Sequence, residues 1–344
     1  MKSAIIPKLN KAVREPIGTA IPRETPFVVV MEPSSACNIR CEFCFHSDLE
    51  AIKKANLKFG IMSYSLFCKI IDDMKKDWGD RKNKVKKLRL AGLGEPLVCP
   101  DICRMVEYAK KAEVVEKIEM YTNGVLLTEE ISLGLINAGL DQLIVSLNGI
   151  SEEQYLKVCD SRIDFDNLLK QIKFFGEHKE NCKLHIKYGD IGYSNKEKEK
   201  FYELFDGICD EMFVETIQGD IWPDTNVNNK IKSSSKTYYG EEIIEKYICP
   251  VIFEYLNINY NGLAVMCSAD WKNEYVLGDL KKESINQVWI GENLLKIQRA
   301  FLTRQKEKVG LCKDCKRYLI CNPDNLDEYA DKILEQLNRR EIFQ

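Results

Sequence analysis

From residue 26 to residue 217, short apolar runs alternate with longer stretches whose apolar residues recur at spacings of three and four. A short apolar run bounded by turn residues reads as a buried strand, whereas the three-and-four spacing gathers apolar side chains on one face of a helix. The strands expected on this basis are Phe27 to Met31, Lys87 to Ala91, Lys117 to Thr122, Gln142 to Leu147, Lys183 to Tyr188 and Met212 to Ile217. Segments 63–76, 102–112, 129–139, 165–175 and 196–205 carry the helical period between them. Strands that alternate with helices pair in parallel, so the fold class is α/β. Six such units either close partly into a barrel or lie in an open doubly wound sheet, and spacing alone does not separate the two.

The pattern changes after Ile217. Residues 218–246 are rich in Asn, Ser, Gly and Lys and read as a linker or long surface loop. Residues 253–267 alternate as a hairpin does, with Asn261-Gly262 as its tight turn. A helical stretch covers 286–302, and an amphipathic helix covers 324–340. The expected organisation is an N-terminal extension (1–25), a βα domain (26–217), a linker (218–246), a small hairpin-and-helix domain (247–325) and a C-terminal helix (326–344).

Composition adds little until the cysteines are placed. The 344 residues are 45% hydrophobic and 30% charged with net charge -3, so bulk charge favours neither nucleic acid nor anionic membrane. No run approaches the roughly 18 apolar residues of a membrane-spanning helix. Pro7 and Lys8 interrupt the N-terminal apolar triplet before a signal sequence could form, which leads to the expectation of a cytoplasmic protein. Such a chain has little use for disulfides, so its 14 cysteines point to metal or catalysis where they cluster. They fall at 37, 41 and 44, at 249, 267, 312, 315 and 321, and singly at 68, 99, 103, 159, 182 and 209. The single ones read as small buried hydrophobes.

The first cluster, PSSACNIRCEFCFHSD, follows the first strand with the spacing C-x3-C-x2-C. Thiolates suit iron and zinc alike. Three cysteines with only His46 as a nearby substitute leave a metal site one ligand short; a [4Fe-4S] cluster so held has one iron open, and a zinc knuckle completed by His46 is the alternative. The segment resembles the signature of the radical S-adenosylmethionine superfamily. That resemblance implies that Cys37, Cys41 and Cys44 hold a [4Fe-4S] cluster whose open iron is chelated by the amine and carboxylate of S-adenosylmethionine, with Phe43 near the adenine.

After the second strand, AGLGEPL is similar to the family's Gly-Gly-Glu-Pro turn, with Leu93 in place of the second glycine. The resemblance assigns Gly92, Gly94, Glu95 and Pro96 to the cofactor's ammonium group, the glycines letting backbone approach the ligand and Glu95 adding a charge partner. MYTNG and VSLNG, at the ends of the third and fourth strands, resemble segments that reach the ribose and methionine carboxylate, which nominates Thr122, Asn123, Ser146 and Asn148. Asn-Gly pairs also serve simply to turn a chain. Strand parity adds one cation. Leu184, Ile186 and Tyr188 suit packing against helices, which sends His185 and Lys187 inward. Arg89, Glu119 and Glu215 are polar by the same test. Lys187 therefore either meets the cofactor carboxylate or an anionic substrate, or pairs with a neighbouring acid.

The second cysteine set reads Cys249, Gly262-x4-Cys267 and Cys312-x2-Cys315-x5-Cys321. It is similar to the auxiliary-cluster domain called SPASM, or its shortened form, twitch; Asn325 stands at the first of two later cysteine places of the full pattern, and no cysteine follows Cys321. The resemblance implies a partial (β/α)6 TIM-type barrel with a small C-terminal iron-sulfur domain. One auxiliary [4Fe-4S] cluster would be held by Cys249, Cys267, Cys312 and Cys315, with Cys321 spare, a replacement ligand, or the remnant of a second cluster. A zinc ribbon on the same two pairs is the alternative. The implied activity is reductive cleavage of S-adenosylmethionine to a 5′-deoxyadenosyl radical, with electrons from a donor such as flavodoxin or ferredoxin, followed by hydrogen abstraction from a small molecule. A carbohydrate or sugar nucleotide is the expected substrate, because about 25 residues before the first strand are too few for the module that binds a leader peptide. A peptide-modifying enzyme and a non-catalytic metal-binding module are the competing readings.

Overall fold

The computed structural model describes residues 2–7, 16–219, 221–229, 231 and 235–341. Helix Tyr64–Trp78 shows how the pattern becomes structure. Ser63 caps its first turn by accepting from the Leu66 N–H, and Phe67, Ile70, Ile71, Met74 and Trp78, three or four residues apart, form its buried face. Helices Ile102–Ala112, Glu129–Asn137, Phe165–His178 and Asn195–Phe205 repeat the arrangement at the places the spacing predicts. The spacing did not reveal a further helix, Glu152–Cys159, which buries Tyr155, Val158 and Cys159.

The strands are β1 (Ala4–Ile5), β2 (Val28–Met31), β3 (Val85–Leu90), β4 (Val115–Thr122), β5 (Gln142–Leu147), β6 (Lys183–Asp190), β7 (Glu211–Thr216), β8 (Tyr255–Ile258), β9 (Leu263–Val265) and β10 (Val276–Asp279). They form one sheet in the order β1-β7-β6-β5-β4-β3-β2-β8-β9-β10, with its ends unjoined. β2 to β7 pair in parallel with their sequence neighbours, giving a partial TIM-type barrel. Leu184, Ile186 and Tyr188 of β6 are fully buried in the core under the helices, as alternation requires.

The C-terminal hairpin joins the barrel sheet. β8 pairs in parallel with β2 over four registered positions, so the hairpin β8–β9 extends the barrel sheet. Its turn uses Gly262 at φ +79°, and the Asn259 side chain accepts from the Asn261 and Leu263 N–H groups. The stretch read as one helix over 286–302 is two, Ile285–Trp289 and Glu292–Leu302, broken at Gly291. β1 from the N-terminal extension pairs with β7, while residues 8–15 of that extension lie outside the described residues. β1 and β10 are too short to leave a periodic signal. Within 218–246, residues 220, 230 and 232–234 lie outside the description, and the described part holds the turn Asn226–Asn229 and an isolated bridge between Lys236 and Glu242. Among the described residues no helix is long and apolar enough to cross a membrane.

Candidate active site

Parallel strands end on the same side of a barrel, and the loops leaving those ends build its site. Here they open onto a cavity of about 1270 Å³. Cys37, Cys41 and Cys44 from the loop after β2 line it, and so do Cys249, Cys267, Cys312, Cys315 and Cys321. The two sets, far apart in sequence, face one space. Segment 221–239, which reads as linker in the sequence, contributes Trp222, Tyr238 and Tyr239 to the same walls. The Trp222 Nε1–H donates to the Phe43 carbonyl at 2.9 Å, tying this segment to the cysteine loop. Its signal in the sequence was three large aromatic residues within an otherwise polar stretch.

Of the residues nominated for the cofactor, Phe43, Gly92, Gly94, Glu95, Thr122, Asn123, Ser146, Asn148 and Lys187 all line the cavity. Pro96 instead opens the buried turn Pro96–Val98 behind Glu95. Glu95 also has partners within the protein. Its buried carboxylate accepts from the Leu97 N–H (3.0 Å), the Thr122 hydroxyl (2.6 Å) and the Asn123 N–H (2.7 Å), so it is a strut between the β3 and β4 loops. Burial raises its pKa to about 6 against those donors.

The glycines also serve packing. A Cβ on Gly94 would lie 2.5 Å from the carbonyl oxygens of Ser34 and Ala36, and one on Gly92 would strike the Glu32 side chain. Gly94 is therefore pressed against the backbone that leads into Cys37. Gly94→Val should therefore displace the cysteine loop and lower iron content together with cofactor affinity. Iron assay and anaerobic calorimetry on one preparation check this; full iron content with lost binding would contradict it.

Glu32 went unnoticed in the sequence because it directly follows an apolar strand. Its buried carboxyl accepts from the Leu93 N–H at 2.9 Å and from the Tyr260 backbone, joining the β3 turn to the hairpin turn, and burial raises its pKa to about 7. An acid whose folded pKa lies above its unfolded value of 4.5 binds a proton in the folded state that the unfolded state has released. Its contribution to stability therefore falls as pH rises from 4.5 through 7, and then levels off. Glu32→Gln should flatten that decline by on the order of 2 kcal/mol, read from urea unfolding at pH 5 and pH 8. An unchanged pH slope would show that Glu32 is not the group responsible.

Charges along the barrel wall are paired. Arg89 meets Glu119 at 2.6 Å, and Lys187 meets Glu215 at 2.8 Å, with the Tyr121 ring 5.0 Å from the Arg89 guanidinium and 5.4 Å from the Lys187 ammonium. Of the two readings open for Lys187, ion pairing is the one observed. The Arg317 side chain, two residues past Cys315, makes no hydrogen bond or ion pair among the described residues, and its Nη1 is buried without a partner. Burial opposes its charge, but nearby Cys267, Tyr238, Cys321 and Cys315 raise its pKa above the ordinary arginine value. Its guanidinium lies 5.7 Å from the Trp222 ring centroid.

The thiols themselves are crowded. Burial raises the pKa of Cys37 and pushes that of Cys44 up to about 12, and each would be raised further by charge on its neighbours. Cys249, Cys312, Cys315 and Cys321 are raised chiefly by burial, with Cys267 acting on all four. Such enclosed sulfurs suit iron, which takes them as thiolates and removes the mutual repulsion. Among the described residues no three His, Cys, Asp or Glu side chains stand close enough to chelate a single ion. His46, the fourth ligand of the zinc alternative, bonds through Nε2 to the Leu93 carbonyl at 2.9 Å. Cys159 was read as a buried hydrophobe; it is buried, and its Sγ lies 3.6 Å from that of Cys41.

The sequence model of the Radical SAM superfamily matches residues 31–205, half of the chain. The chain belongs to the radical SAM superfamily. The model of the SPASM iron-sulfur cluster-binding domain matches residues 249–316, which includes four of the five C-terminal cysteines and ends before Cys321. S-adenosylmethionine and [4Fe-4S] clusters are the cofactors of this radical SAM protein. It is similar to the tungsten-containing aldehyde ferredoxin oxidoreductase cofactor-modifying protein of Pyrococcus furiosus, 27% identical over 241 residues, covering 68% of this chain and 60% of that protein. The GTP 3',8-cyclase of Chlorobaculum tepidum is 30% identical over 125 residues, 36% of this chain and 34% of that protein. The match thus spans less than two thirds of either relative. Among solved structures, Streptococcus suis SuiB bound to precursor peptide SuiA superposes with TM-score 0.61 at 16% identity, covering 93% of this chain and 75% of that one. BtrN in complex with AdoMet and 2-DOIA gives 0.52 at 16%, covering 85% and 93%. These likenesses establish the fold.

Proposed function

We propose that this radical SAM enzyme cleaves S-adenosylmethionine reductively at a cluster held by Cys37, Cys41 and Cys44, and abstracts hydrogen from a carbohydrate or sugar nucleotide. The observation that carries the reading is the single cavity whose walls hold both cysteine sets. Bound there, the cluster and S-adenosylmethionine supply a 5′-deoxyadenosyl radical. The protein's own residues do the rest. Glu95 fixes the β3 and β4 loops, Asn123 and Asn148 present their amides to Asn38 and Cys41, and Trp222 ties its own segment to the cysteine loop. A polar ring-bearing substrate suits the aromatic faces of Trp222, Tyr238 and Tyr239 together with the ion-paired wall. Arg317, whose side chain has no ion pair among the described residues, suits an anionic group better than the paired Lys187. The nucleotide named in the GTP 3',8-cyclases supports a ligand of that kind.

Cys249, Cys267, Cys312 and Cys315 would hold the auxiliary cluster, in a domain proposed to run over 247–325, after the barrel of 26–217 and the connecting segment 218–246. A soluble electron carrier of the flavodoxin or ferredoxin type would reduce the first cluster. The test is anaerobic reconstitution with iron and sulfide, then S-adenosylmethionine and dithionite, with methionine and 5′-deoxyadenosine measured by mass spectrometry. Deuterated sugars, sugar phosphates and nucleotide sugars are then supplied beside deuterated peptides. Deuterium in 5′-deoxyadenosine from a sugar supports the proposal; deuterium from a peptide replaces the substrate class, and no cleavage at all overturns the reaction.

A further inference from the structure

The helix Glu152–Cys159 ends directly against the cysteine loop. Asp160, at φ +45°, stops the helix, and the Glu42 N–H donates to the Val158 carbonyl at 2.8 Å, clamping the helix end beside Cys41 and Cys44. Tyr155 and Val158, three residues apart, anchor the same face in the core. The clamp places the buried Cys159 Sγ 3.6 Å from the Cys41 Sγ. The Asn148 Nδ2 lies 3.0 Å from the same sulfur and also reaches the Cys159 thiol. Asn148 is itself held, because its carbonyl accepts from the Tyr193 hydroxyl at 2.9 Å and its N–H reaches the Tyr155 hydroxyl at 3.4 Å. The Asn38 and Ile39 N–H groups donate to Cys37, with the Asn123 amide 3.9 Å away, and the Phe45 and His46 N–H groups donate to Cys44; among the described residues a hydrogen bond from another thiol reaches, of these three, only Cys41.

A thiolate bound to iron has no proton, so in the loaded protein Cys159 is the only member of the sulfur pair that can donate. Adding an electron to a cluster increases the negative charge on its ligand sulfurs. Burial in a low-dielectric wall disfavours that charge, whereas donors aimed at a ligand sulfur favour it. We propose that Cys159 is a positioning residue whose S–H, together with the Asn148 amide, donates to the Cys41 sulfur and makes the first cluster easier to reduce. The proposal rests on the assignment of Cys37, Cys41 and Cys44 to that cluster. Cys159 stands beside one ligand sulfur rather than at a separate corner of the site, so it tunes a ligand and does not add one.

The test is potentiometry of the reconstituted enzyme, followed by the electron paramagnetic resonance of the reduced first cluster, in wild type, Cys159→Ala and Cys159→Ser. In the alanine variant the ratio of reduced to oxidised cluster at a fixed potential should fall roughly three- to tenfold, about 30 to 60 mV for a one-electron couple at 59 mV per tenfold. Serine, which keeps a donor of nearly the same length, should recover part of the shift. Iron content and the circular dichroism of both variants should match wild type. An unchanged potential with a full cluster overturns the proposal by reducing Cys159 to a space-filling residue, and a loss of iron overturns it by making Cys159 a ligand or a scaffold. A wild-type protein lacking the first cluster's signal overturns the assignment of the triplet as well, which separates the two failures.

Discussion

Replacing Cys37, Cys41 and Cys44 together with alanine is expected to remove about four irons per chain and abolish formation of 5′-deoxyadenosine, with the auxiliary iron retained. The three side chains occupy the loop between β2 and helix Leu49–Lys54, and that loop is fastened independently of any metal. Ser35 exchanges hydrogen bonds with Gly60, the Glu95 N–H donates to the Ala36 carbonyl, and Asp48 caps the following helix through the Ala51 N–H. Truncating the thiols therefore removes ligands without removing the loop's supports, and the circular dichroism of the variant should match wild type. Continued production of 5′-deoxyadenosine on reduction would refute the assignment. Single replacements inform on geometry. Cys41 should be the most sensitive to its surroundings, because both the Asn148 amide and the Cys159 thiol approach its sulfur.

How far the sequence foreshadows this site depends on whether a residue acts through local pattern or through distant contact. The six barrel strands and five of their helices are periodic over enough residues to be read directly, and the cysteine triplet carries its own spacing. The cavity-facing residues Ser146, Asn148 and Lys187 follow from parity once the strands are placed. Contacts that join loops distant in sequence leave no such trace. Glu95 looks like a ligand for the cofactor in a Gly-Glu-Pro turn, and the sequence does not show that its carboxylate also accepts from residues 97, 122 and 123, two of them a whole βα unit away. Gly94 looks like a place for close ligand approach, and its missing side chain faces residues 34–36. Trp222 lies in a stretch whose composition reads as linker, and only the fold brings its indole to Phe43. Cys159, 118 residues from Cys41 in sequence, is a neighbour only because helix Glu152–Cys159 docks on the cysteine loop. The hairpin was legible from Asn261-Gly262, but the pairing of β8 with β2 was not, since the strand pattern does not name a partner.

Loss of the auxiliary cluster is expected to separate radical formation from turnover. A variant with both Cys312→Ala and Cys315→Ala should lose about four irons, still form 5′-deoxyadenosine slowly, and fail to convert substrate. These thiols line the same cavity, and among the described residues no hydrogen bond ties them to Cys37, Cys41 or Cys44, so their removal leaves the triplet's own supports in place. Unfolding is the obvious competing cause, because a structural metal can supply much of a small domain's stability. Here the region has other supports. β8 is hydrogen-bonded into the barrel sheet beside β2, and Leu256, Ile258, Leu280, Ile285, Val288 and Phe301 are buried in the common core. Circular dichroism should therefore be unchanged, and a collapse of the signal would assign the loss to folding instead. Cys321 is the discriminating residue. It lines the same cavity and would be raised by charge on Cys267 and Cys315, while Arg317 and Lys246 beside it favour its thiolate. If Cys249, Cys267, Cys312 and Cys315 are the ligands, Cys321→Ala keeps its full complement of iron and most of its turnover. An iron loss in Cys321→Ala as large as in the double variant would place Cys321 among the ligands and displace one of the other four.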